Sequence, residues 1–360
     1  MREVVATVLT ERQLEIVLAV VYEYIRSGAP TGSRTIAKRY LKGCSAATIR
    51  NEMADLDEME YLYQPHTSAG RIPTPKAFRI YVDAILQRQR TRPSTRPEWL
   101  QELKRRRDDV QSALRYSTKL LGNLTHCVSV AALGPAQEAI LQKVEFIRVA
   151  ERSVLIIVVL QGGLIHHKMG TLPYDMDQEA LDELSRRVNL VAQDKSWQEV
   201  RHILQMYVLE ELEAYAENCR KALEEMNGML GENSYQYFTG GQYNVLGLPE
   251  FSDLSRLQTM MALLEEDTSI AQLVKRCSPD RGLSVIIGDE NPVTQMSDCS
   301  VLMASSVDKG RKTVLGLIGP VRMDYEYAIS VLESLLGGLS MNGDQEGNKG
   351  GSVNGFDEKP

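Results

Sequence analysis

Arg50 and Asn51 are adjacent side chains whose chemistry suits the recognition of DNA bases. Arginine can form two hydrogen bonds with the edge of a guanine, and asparagine can do the same with an adenine. Both residues also occur on ordinary solvated helices, so the pair indicates base recognition only where its surroundings allow close approach to DNA. The flanking residues Ala47 and Ala54 are small enough to permit that approach.

Helical periodicity predicts that this pair points away from a hydrophobic core. At 100° per residue, one face of a helix from Ser45 to about Met59 is apolar and carries Ala46, Ile49, Met53 and Leu56. The opposite face carries Ala47, Arg50, Asn51 and Ala54. Ser45 and Thr48 lie at the helix N-terminus, where hydroxyl and backbone N–H groups can contact phosphates. We interpret this segment as a candidate recognition helix.

The elements around this helix have the outline of a winged helix-turn-helix. Thr10 and Gln13 form a capping-box pattern before a first helix that stops at Gly28, and a second, short helix follows Ser33. After the candidate recognition helix, residues 61–74 read as a small β-hairpin with a compact polar tip. The tip residues that could lie along DNA are Ser68, Gly70 and Arg71. We therefore predict a winged-helix DNA-binding domain at residues 1–89.

Charge is distributed unevenly along the chain, whose formal net charge is −7. Residues 1–110 hold 19 lysines and arginines against 14 acidic residues, whereas the rest of the chain holds 22 against 34. A surface that binds phosphates therefore belongs in the N-terminal part.

The remaining sequence alternates between helical and strand-like segments. Residues 90–97 are a proline-rich charged linker, and the apolar spacing from Trp99 to Leu124 predicts one amphipathic helix. Strand-like runs extend from Val128 to Met169, and a charged helical block covers 175–232. Further strands and a final helix follow.

These segments predict an α+β multidomain chain. A linker and amphipathic helix occupy residues 90–125, and an α/β domain is assembled from 126–174 and 240–340. A helical insertion at 175–239, whose apolar stripes suit dimerisation, interrupts that domain. Residues 341–360 are rich in glycine and poor in apolar side chains, which predicts a disordered tail.

Neither a metal site nor a catalytic site is indicated. His166 and His167 are adjacent in a strand-like run, so they point to opposite faces, and no cysteine or carboxylate lies nearby. Cys299 has no histidine to activate it among the C-terminal residues, because the last histidine is His202. We expect no cofactor, no metal and no enzymatic activity.

A cytoplasmic location is expected from the cysteines and the hydropathy. The five cysteines are scattered and show neither a disulfide framework nor CxxC spacing. The longest apolar run, Val154–Leu160, is too short to span a bilayer, and the N-terminus shows no signal peptide. We expect no membrane partner.

The segment Ser45–Asp83 (SAATIRNEMADLDEMEYLYQPHTSAGRIPTPKAFRIYVD) closely resembles the HrcA family of heat-inducible transcription repressors. The segments Asn244–Phe251, Ile287–Asn291, Asp298–Ser300 and Gly316–Tyr325 are similar to the family as well. The resemblance covers nearly the whole chain apart from the tail.

The resemblance implies a repressor of bacterial chaperone operons that binds an inverted repeat, called CIRCE, as a homodimer. It also implies a winged helix, a GAF-like domain with a dimerising helical insertion, and activity maintained by the GroE chaperonin. Matched by motif, the residues expected in the recognition helix are Ser45, Thr48, Arg50 and Asn51, and Ala47 joins them as a small residue on the same predicted face. Those expected at the wing are Ser68, Gly70 and Arg71.

The sequence departs from the family pattern at Glu60, where the family usually has a glycine that closes the recognition helix in a left-handed conformation. Two other functions remain open. One is a winged-helix repressor controlled by a small effector in the GAF-like domain. The other is an enzyme with an appended DNA-binding domain, which lacks a catalytic constellation in this sequence.

Overall fold

The computed structural model describes residues 9–67, 69–87, 98–106, 109–135, 139–161, 165–193, 195–208, 216–231, 235–247, 254–265, 267–293, 296–308 and 311–339. Ser68, the predicted linker at 90–97 and the predicted tail at 341–360 lie outside these residues. Within the described part of the chain, helices combine with three antiparallel sheets in an α+β arrangement.

The N-terminal part contains the predicted order of three helices and a hairpin. The helices are α1 (Glu11–Ser27), α2 (Ser33–Arg39) and α3 (Ala46–Glu58), and the hairpin strands are β1 (Leu62–Tyr63) and β2 (Ile72–Pro73). A fourth helix, α4 (Pro75–Gln87), follows. The apolar faces of these helices meet in one core that includes Ile16, Val20, Ile36, Ile49, Leu56 and Phe78. The prediction of these elements is confirmed.

Local signals fix the ends of α1 and α3. The Thr10 hydroxyl accepts a hydrogen bond from the Gln13 backbone N–H at 3.2 Å, and the Gln13 side chain accepts one from Thr10, which confirms the predicted capping box. Gly28 ends α1 with a left-handed φ of 63°. Glu60 takes the same conformation after α3, with a φ of 64°. The left-handed helix end therefore forms without glycine, at a cost of about 1 kcal/mol.

The single helix predicted from Trp99 to Leu124 is wrong, because the structure has two helices, α5 (Glu98–Arg105) and α6 (Val110–Thr125). The chain turns at Asp109, whose backbone N–H donates to the carbonyl of Arg106 at 3.1 Å. The Asp109 carboxylate then accepts a hydrogen bond from the N–H of Ser112 at 3.0 Å and starts α6. Apolar spacing continues across both helices, so periodicity did not detect the break.

The rest of the described chain forms eight strands, six α-helices and two short 3₁₀ helices, Gln242–Gly247 and Gly288–Glu290. The strands are β3 (Val128–Leu133), β4 (Leu141–Ala150), β5 (Ser153–Leu160), β6 (Ile165–Thr171), β7 (Gln236–Gly240), β8 (Gly282–Ile287), β9 (Cys299–Asp308) and β10 (Arg311–Pro320). The helices are α7 (Gln178–Ala192), α8 (Trp197–Val208), α9 (Ala216–Leu230), α10 (Leu254–Glu265), α11 (Asp267–Cys277) and α12 (Tyr325–Leu339).

Five strands form one antiparallel sheet in the order β7-β3-β10-β9-β8, and both of its faces are covered. On one face, strand side chains pack against α6 and α12 in a core that includes Leu114, Leu121, Ala131, Leu302, Leu315, Leu317 and Leu332. On the other face, they pack against α10 and α11 in a core that includes Val130, Met260, Leu264, Leu273, Val301, Met303 and Val314. The alternation of side chains along each strand supplies both cores.

A separate three-stranded sheet has the order β4-β5-β6. One face packs against α7, α8 and α9 through buried side chains that include Val144, Phe146, Ile156, Leu181, Val188, Trp197 and Met226. Side chains of α7 also bond the outer edge of β4: Asn189 bonds the N–H and the carbonyl of Val144 at 2.7 and 2.8 Å, and Ser185 accepts from Phe146. These bonds replace those of a further strand.

The distribution of strands differs from the predicted division of the chain. Among the strands within 126–174, only β3 joins the five-stranded sheet, whereas β4, β5 and β6 share a core with α7–α9. Strand β7 begins inside the predicted insertion at 175–239, yet it pairs with β3. Strand pairing depends on partners far apart in sequence, so the order of segments alone did not reveal this arrangement.

Candidate nucleic-acid interface

Helix α3 presents the predicted pair of polar side chains on its solvent face. Ile49, Met53 and Leu56 are buried in the core, as the periodicity predicted. Arg50 and Asn51 are exposed on the opposite side. Ala47 is exposed as well, so a small side chain stands at the N-terminal end of the same face. The helix therefore combines a fixed apolar side with a polar side that a ligand can reach.

The hydroxyls at the start of α3 are held in place by capping. Ser45 is the N-cap residue, and its Oγ accepts a hydrogen bond from the Thr48 N–H at 3.0 Å. The two hydroxyl oxygens lie 2.9 Å apart, so they form a hydrogen-bonded pair at the helix N-terminus. This end of a helix carries partial positive charge and favours anions.

Arg71 connects the hairpin to α3. Its guanidinium Nη1 lies 2.6 Å from the Asp57 carboxylate and donates to the Gln64 Oε1 at 2.7 Å, and its side chain is only 18% exposed. Gln64 also donates to the carbonyls of Thr67 and Ala69 at 2.9 Å each. The sequence analysis predicted Arg71 as a cation at the wing that contacts DNA; in the structure its guanidinium is paired with Asp57 on α3. Ser68 lies outside the described residues.

Gly70 lies against the segment that joins α1 to α2. A Cβ atom at this position would be 2.4 Å from the carbonyl carbon of Thr31, so any side chain would collide with backbone. The close approach allows Arg71 and Thr31 to exchange two backbone hydrogen bonds of 2.8 and 2.9 Å. Gly70 therefore has a packing role in addition to its predicted place at the wing.

Ion pairing and hydrogen bonding fix the angle between α1 and α2. The Glu23 carboxylate accepts hydrogen bonds of 2.6 Å from both the Tyr40 hydroxyl and the Arg39 guanidinium. These two partners hold the pKa of Glu23 below its usual value. Burial and the bond to Glu23 raise the pKa of Tyr40 to about 12, so the hydroxyl keeps its proton and remains a donor at neutral pH.

Two cations on α2 did not enter the sequence prediction. Arg34 and Lys38 are exposed and four residues apart, so they lie on the same face of the helix. Their spacing is the signal that could have indicated a phosphate contact. Lys76, by contrast, is engaged, since its ammonium donates to the carbonyl of Met59 and lies 4.3 Å from the centre of the Tyr61 ring.

Within the described ranges, no group of three or more histidine, cysteine or acidic side chains could hold a metal ion. None of the helices described is long and apolar enough to cross a membrane.

Curated relatives match nearly the full length of the chain. A protein of Moorella thermoacetica is 34% identical over 342 residues, which is 94% of this chain and 98% of the relative. One of Halalkalibacterium halodurans is 36% identical over 331 residues, which is 91% of this chain and 95% of the relative. Both are named heat-inducible transcription repressor HrcA.

A family model and a solved structure agree with these relatives. Residues 111–329 match the model of the HrcA protein C terminal domain. A crystal structure described as a hypothetical protein covers 93% of this chain and 97% of its own, with a TM-score of 0.58 at 22% identity, which shows a shared fold. The matches with named relatives define the class of protein as a transcription regulator and not an enzyme. The chain belongs to the HrcA family of heat-inducible transcription repressors.

Proposed function

We propose that this repressor binds operator DNA through a winged helix, with α3 as the recognition helix and the β1–β2 hairpin as the wing. The proposal rests on the exposure of Arg50 and Asn51, which lie opposite the buried face of α3. Arg50 would bond a guanine and Asn51 an adenine, while Ala47 permits close approach to the major groove. Phosphates would be met by the Ser45–Thr48 hydroxyl pair and by the exposed cations Arg34 and Lys38.

The wing would contact DNA mainly through its backbone and small side chains. Ser68 and Gly70 belong to the polar tip, which suits a path along the sugar-phosphate backbone. Arg71 contributes by tying the wing to α3 through Asp57, so its effect on DNA binding is indirect. A missing Arg71 side chain would weaken binding because the wing would lose its fixed position.

We assign the five-stranded sheet and its covering helices to a GAF-like domain. A central antiparallel sheet with helices on both faces supports that assignment. This domain would comprise residues 109–135 and 235–339, and the insertion would comprise 139–231. The proposed insertion is therefore a sheet with three helices instead of a block of helices.

The proposal includes a homodimer that meets across the open face of the three-stranded sheet. Among the described residues no element covers this face, where Ile165 and Met169 are 53% and 52% exposed beside the half-buried Ile157. The apolar stripes of α7–α9 that suggested a helical interface are occupied, since they pack against the other face of their own sheet.

A second copy of the chain is the occupant that the open face suits. The face combines exposed apolar side chains with the ion pair of Lys143 and Glu145, 2.6 Å apart, and Glu145 lies directly across from Ile157. Its charges could complement those of a copy related by a two-fold axis. Two winged helices related in this way would fit an inverted repeat such as CIRCE.

The GroE chaperonin is the proposed partner that keeps the repressor active in the cytoplasm. The five-stranded sheet joins segments distant in sequence, since Leu133 pairs with Thr313. Domains with such non-local pairing fold slowly and expose apolar strands on the way. Strand β5 (SVLIIVVL) is uncharged and rich in β-branched residues, a composition that aggregates when exposed. DNA-binding activity would then follow the fraction of folded repressor.

Control by a small effector in the GAF-like domain is the alternative. Such a site requires polar groups that converge in a cavity. In the described residues, both faces of the five-stranded sheet are filled by apolar side chains that are almost completely buried. Chaperonin-dependent folding therefore has the better support.

The direct test compares Arg50→Ala with Lys38→Ala on CIRCE DNA and on scrambled DNA at one salt concentration. Loss of a guanine contact is expected to weaken CIRCE binding by about 1–3 kcal/mol and to leave scrambled DNA almost unaffected. Loss of Lys38 is expected to weaken both DNAs equally and to reduce the salt slope by about one. If Arg50→Ala weakened binding to CIRCE and to scrambled DNA equally, Arg50 would contact only a phosphate.

A further inference from the structure

An arginine of the DNA-reading unit (α1–α4 with the β1–β2 hairpin) binds the edge of the five-stranded sheet. The Arg79 Nε on α4 donates to one oxygen of Glu290 at 2.7 Å, and its Nη2 donates to the other oxygen. The same Nη2 donates to the carbonyl of Val285 at 2.7 Å. Val285 belongs to β8, the outermost strand of that sheet. A bidentate pair of this kind fixes direction as well as distance.

An aromatic contact reinforces the same junction. The Phe78 ring on α4 lies 6.1 Å from the ring of Tyr325 at the start of α12, and both side chains are buried. The Tyr325 hydroxyl donates to the carbonyl of Val321 at 2.7 Å, so it accepts from the Ser300 hydroxyl at 2.6 Å. Hydrogen bonds thus hold the Tyr325 ring in the position that Phe78 contacts.

Two glycines show how closely the DNA-reading unit approaches the rest of the chain. Gly288 has a left-handed φ of 56°, and a Cβ there would lie 3.1 Å from the Pro75 ring at the start of α4. A Cβ on Gly28, at the end of α1, would lie 3.4 Å from the Arg322 guanidinium. The DNA-reading unit therefore approaches the rest of the chain closely at two separate points, one on α4 and one on α1.

The segments that surround this junction are among those whose sequences resemble the HrcA family. Ile287–Asn291 supplies Glu290, Asp298–Ser300 supplies Ser300, and Gly316–Tyr325 supplies Tyr325. None of the three segments lies on the proposed DNA-reading face of α3. The DNA contacts of the proposed function leave these residues without a role.

We propose that Arg79 and Glu290 are positioning residues for operator reading. Their pair fixes the DNA-reading unit on the edge of the sheet, so that both recognition helices of a dimer meet their half-sites at one spacing. The inference rests on the proposed function, in which α3 reads DNA and the chain dimerises. If the pair is broken, each unit keeps its own contacts with DNA, but the second half-site is no longer held at high effective concentration.

The test measures the binding of Glu290→Gln to a single half-site and to inverted repeats whose spacing changes by single base pairs. Affinity for the single half-site is expected to stay within about twofold, while affinity for the best inverted repeat falls about 10- to 100-fold because avidity is lost. Discrimination among spacings should shrink as well. Glu183→Gln is the matched control, because Glu183 pairs with Arg186 and Arg187 inside α7.

Two further measurements separate positioning from a general loss of structure. Arg79→Lys keeps the positive charge but cannot form the bidentate pair, so it should lose spacing preference while its affinity for a single half-site stays within about twofold. Hydrogen exchange on the DNA-free protein should be faster in α4 and β8 of Glu290→Gln. Hydrogen exchange requires no DNA, so it tests the junction independently of DNA binding. If the wild-type protein bound none of the inverted repeats, the proposed function would be refuted, but the junction would still be tested.

Two outcomes would overturn the inference. An equal loss on the single half-site and the inverted repeat would mean that the pair only maintains the fold of the DNA-reading unit. Unchanged spacing preference together with unchanged exchange would mean that other contacts set the orientation of α3.

Discussion

The five-stranded and three-stranded sheets of this chain differ in how many of their faces are covered. In the five-stranded sheet, strands such as β3 are buried along their whole length because helices pack on both sides. In the three-stranded sheet, β5 alternates between buried and half-exposed residues because α7–α9 cover one side only. The first sheet is complete within one chain. Among the described residues, the second leaves one face uncovered.

The outer edges of the two sheets are protected in different ways. Side chains of α7, a helix of the same unit, bond the edge of β4. The edge of β8 is instead bonded by Arg79, which belongs to the DNA-reading unit. In our proposals the two sheets have different tasks: the three-stranded sheet would serve association, and the five-stranded sheet would orient the DNA-reading unit.

The sharpest test of this contrast uses two neighbouring isoleucines on β5. Ile156 is fully buried under the helices, and Ile157 is half-exposed on the open face. If the proposed dimer forms through this face, Ile157→Lys is expected to give a folded monomer, because a charge in the centre of the proposed interface would weaken the dimer by about 100-fold or more, or about 2.7 kcal/mol. Sedimentation for mass and circular dichroism for fold would measure this.

Ile156→Lys is the matched control for that experiment. The same charge placed under the helices is expected to unfold the three-stranded unit, because a buried unpaired charge costs several kcal/mol. If Ile157→Lys remained a dimer at low micromolar concentration, the open face would not be the interface. The contact would then have to be sought elsewhere, for example on α5 and α6.

A second test uses the contact between the two sheets at His166. This β6 residue is buried, and its Nδ1 lies 3.3 Å from the Gln236 amide nitrogen of β7, so Nδ1 accepts and Nε2 carries the proton. Burial, together with the nearby charges of Arg311 and His167, lowers the pKa of His166 to about 4. Between about pH 4 and pH 6.5, the folded protein therefore keeps His166 neutral, whereas the unfolded chain binds a proton there.

The sign of the resulting pH dependence follows from that difference. As the pH falls below about 6.5, the unfolded chain gains a proton that the folded chain does not, so stability falls until the pH approaches 4. The loss from His166 amounts to about 3 kcal/mol over this interval. Urea unfolding of wild type and His166→Asn at several pH values would measure it, with the exposed His202→Asn as control. An equal slope in both histidine variants would contradict the assignment.

Local signals explain which parts of the structure could be predicted from the sequence. The capping box of Thr10 and Gln13, the stop at Gly28 and the cap at Ser45 each depend on residues within one helical turn. The exposed position of Arg50 depends only on helical periodicity. These features were predictable because the residues that determine them are close neighbours in the chain.

Features that depend on distant partners were not predictable in this way. Nothing near Arg71 in sequence indicates that its charge would be bonded by Asp57, on the last turn of α3. Likewise, β4 carries no local sign that α7 would bond its edge and separate it from β3. The Arg79–Glu290 pair joins residues from opposite ends of the chain. The exposure of the proposed DNA-reading residues was therefore predictable, whereas the contacts that orient α3 were not.

The smallest expected effect is the difference in stability between alanine substitutions at one glycine of each sheet. A Cβ on Gly316, in the central strand β10, would lie 2.9 Å from the Val130 side chain and 3.2 Å from the Leu302 carbonyl oxygen. Since both faces are packed there, Gly316→Ala is expected to destabilise the protein by about 1–3 kcal/mol.

A Cβ on Gly170, in β6, would meet its nearest atoms at 3.4 Å, an ordinary contact distance. Gly170→Ala should therefore be neutral or stabilising by up to about 1 kcal/mol, because alanine restricts the unfolded chain. If urea unfolding showed the same loss of stability for both variants, the two sheets would be packed equally tightly. The two sheets would then differ only in the open face.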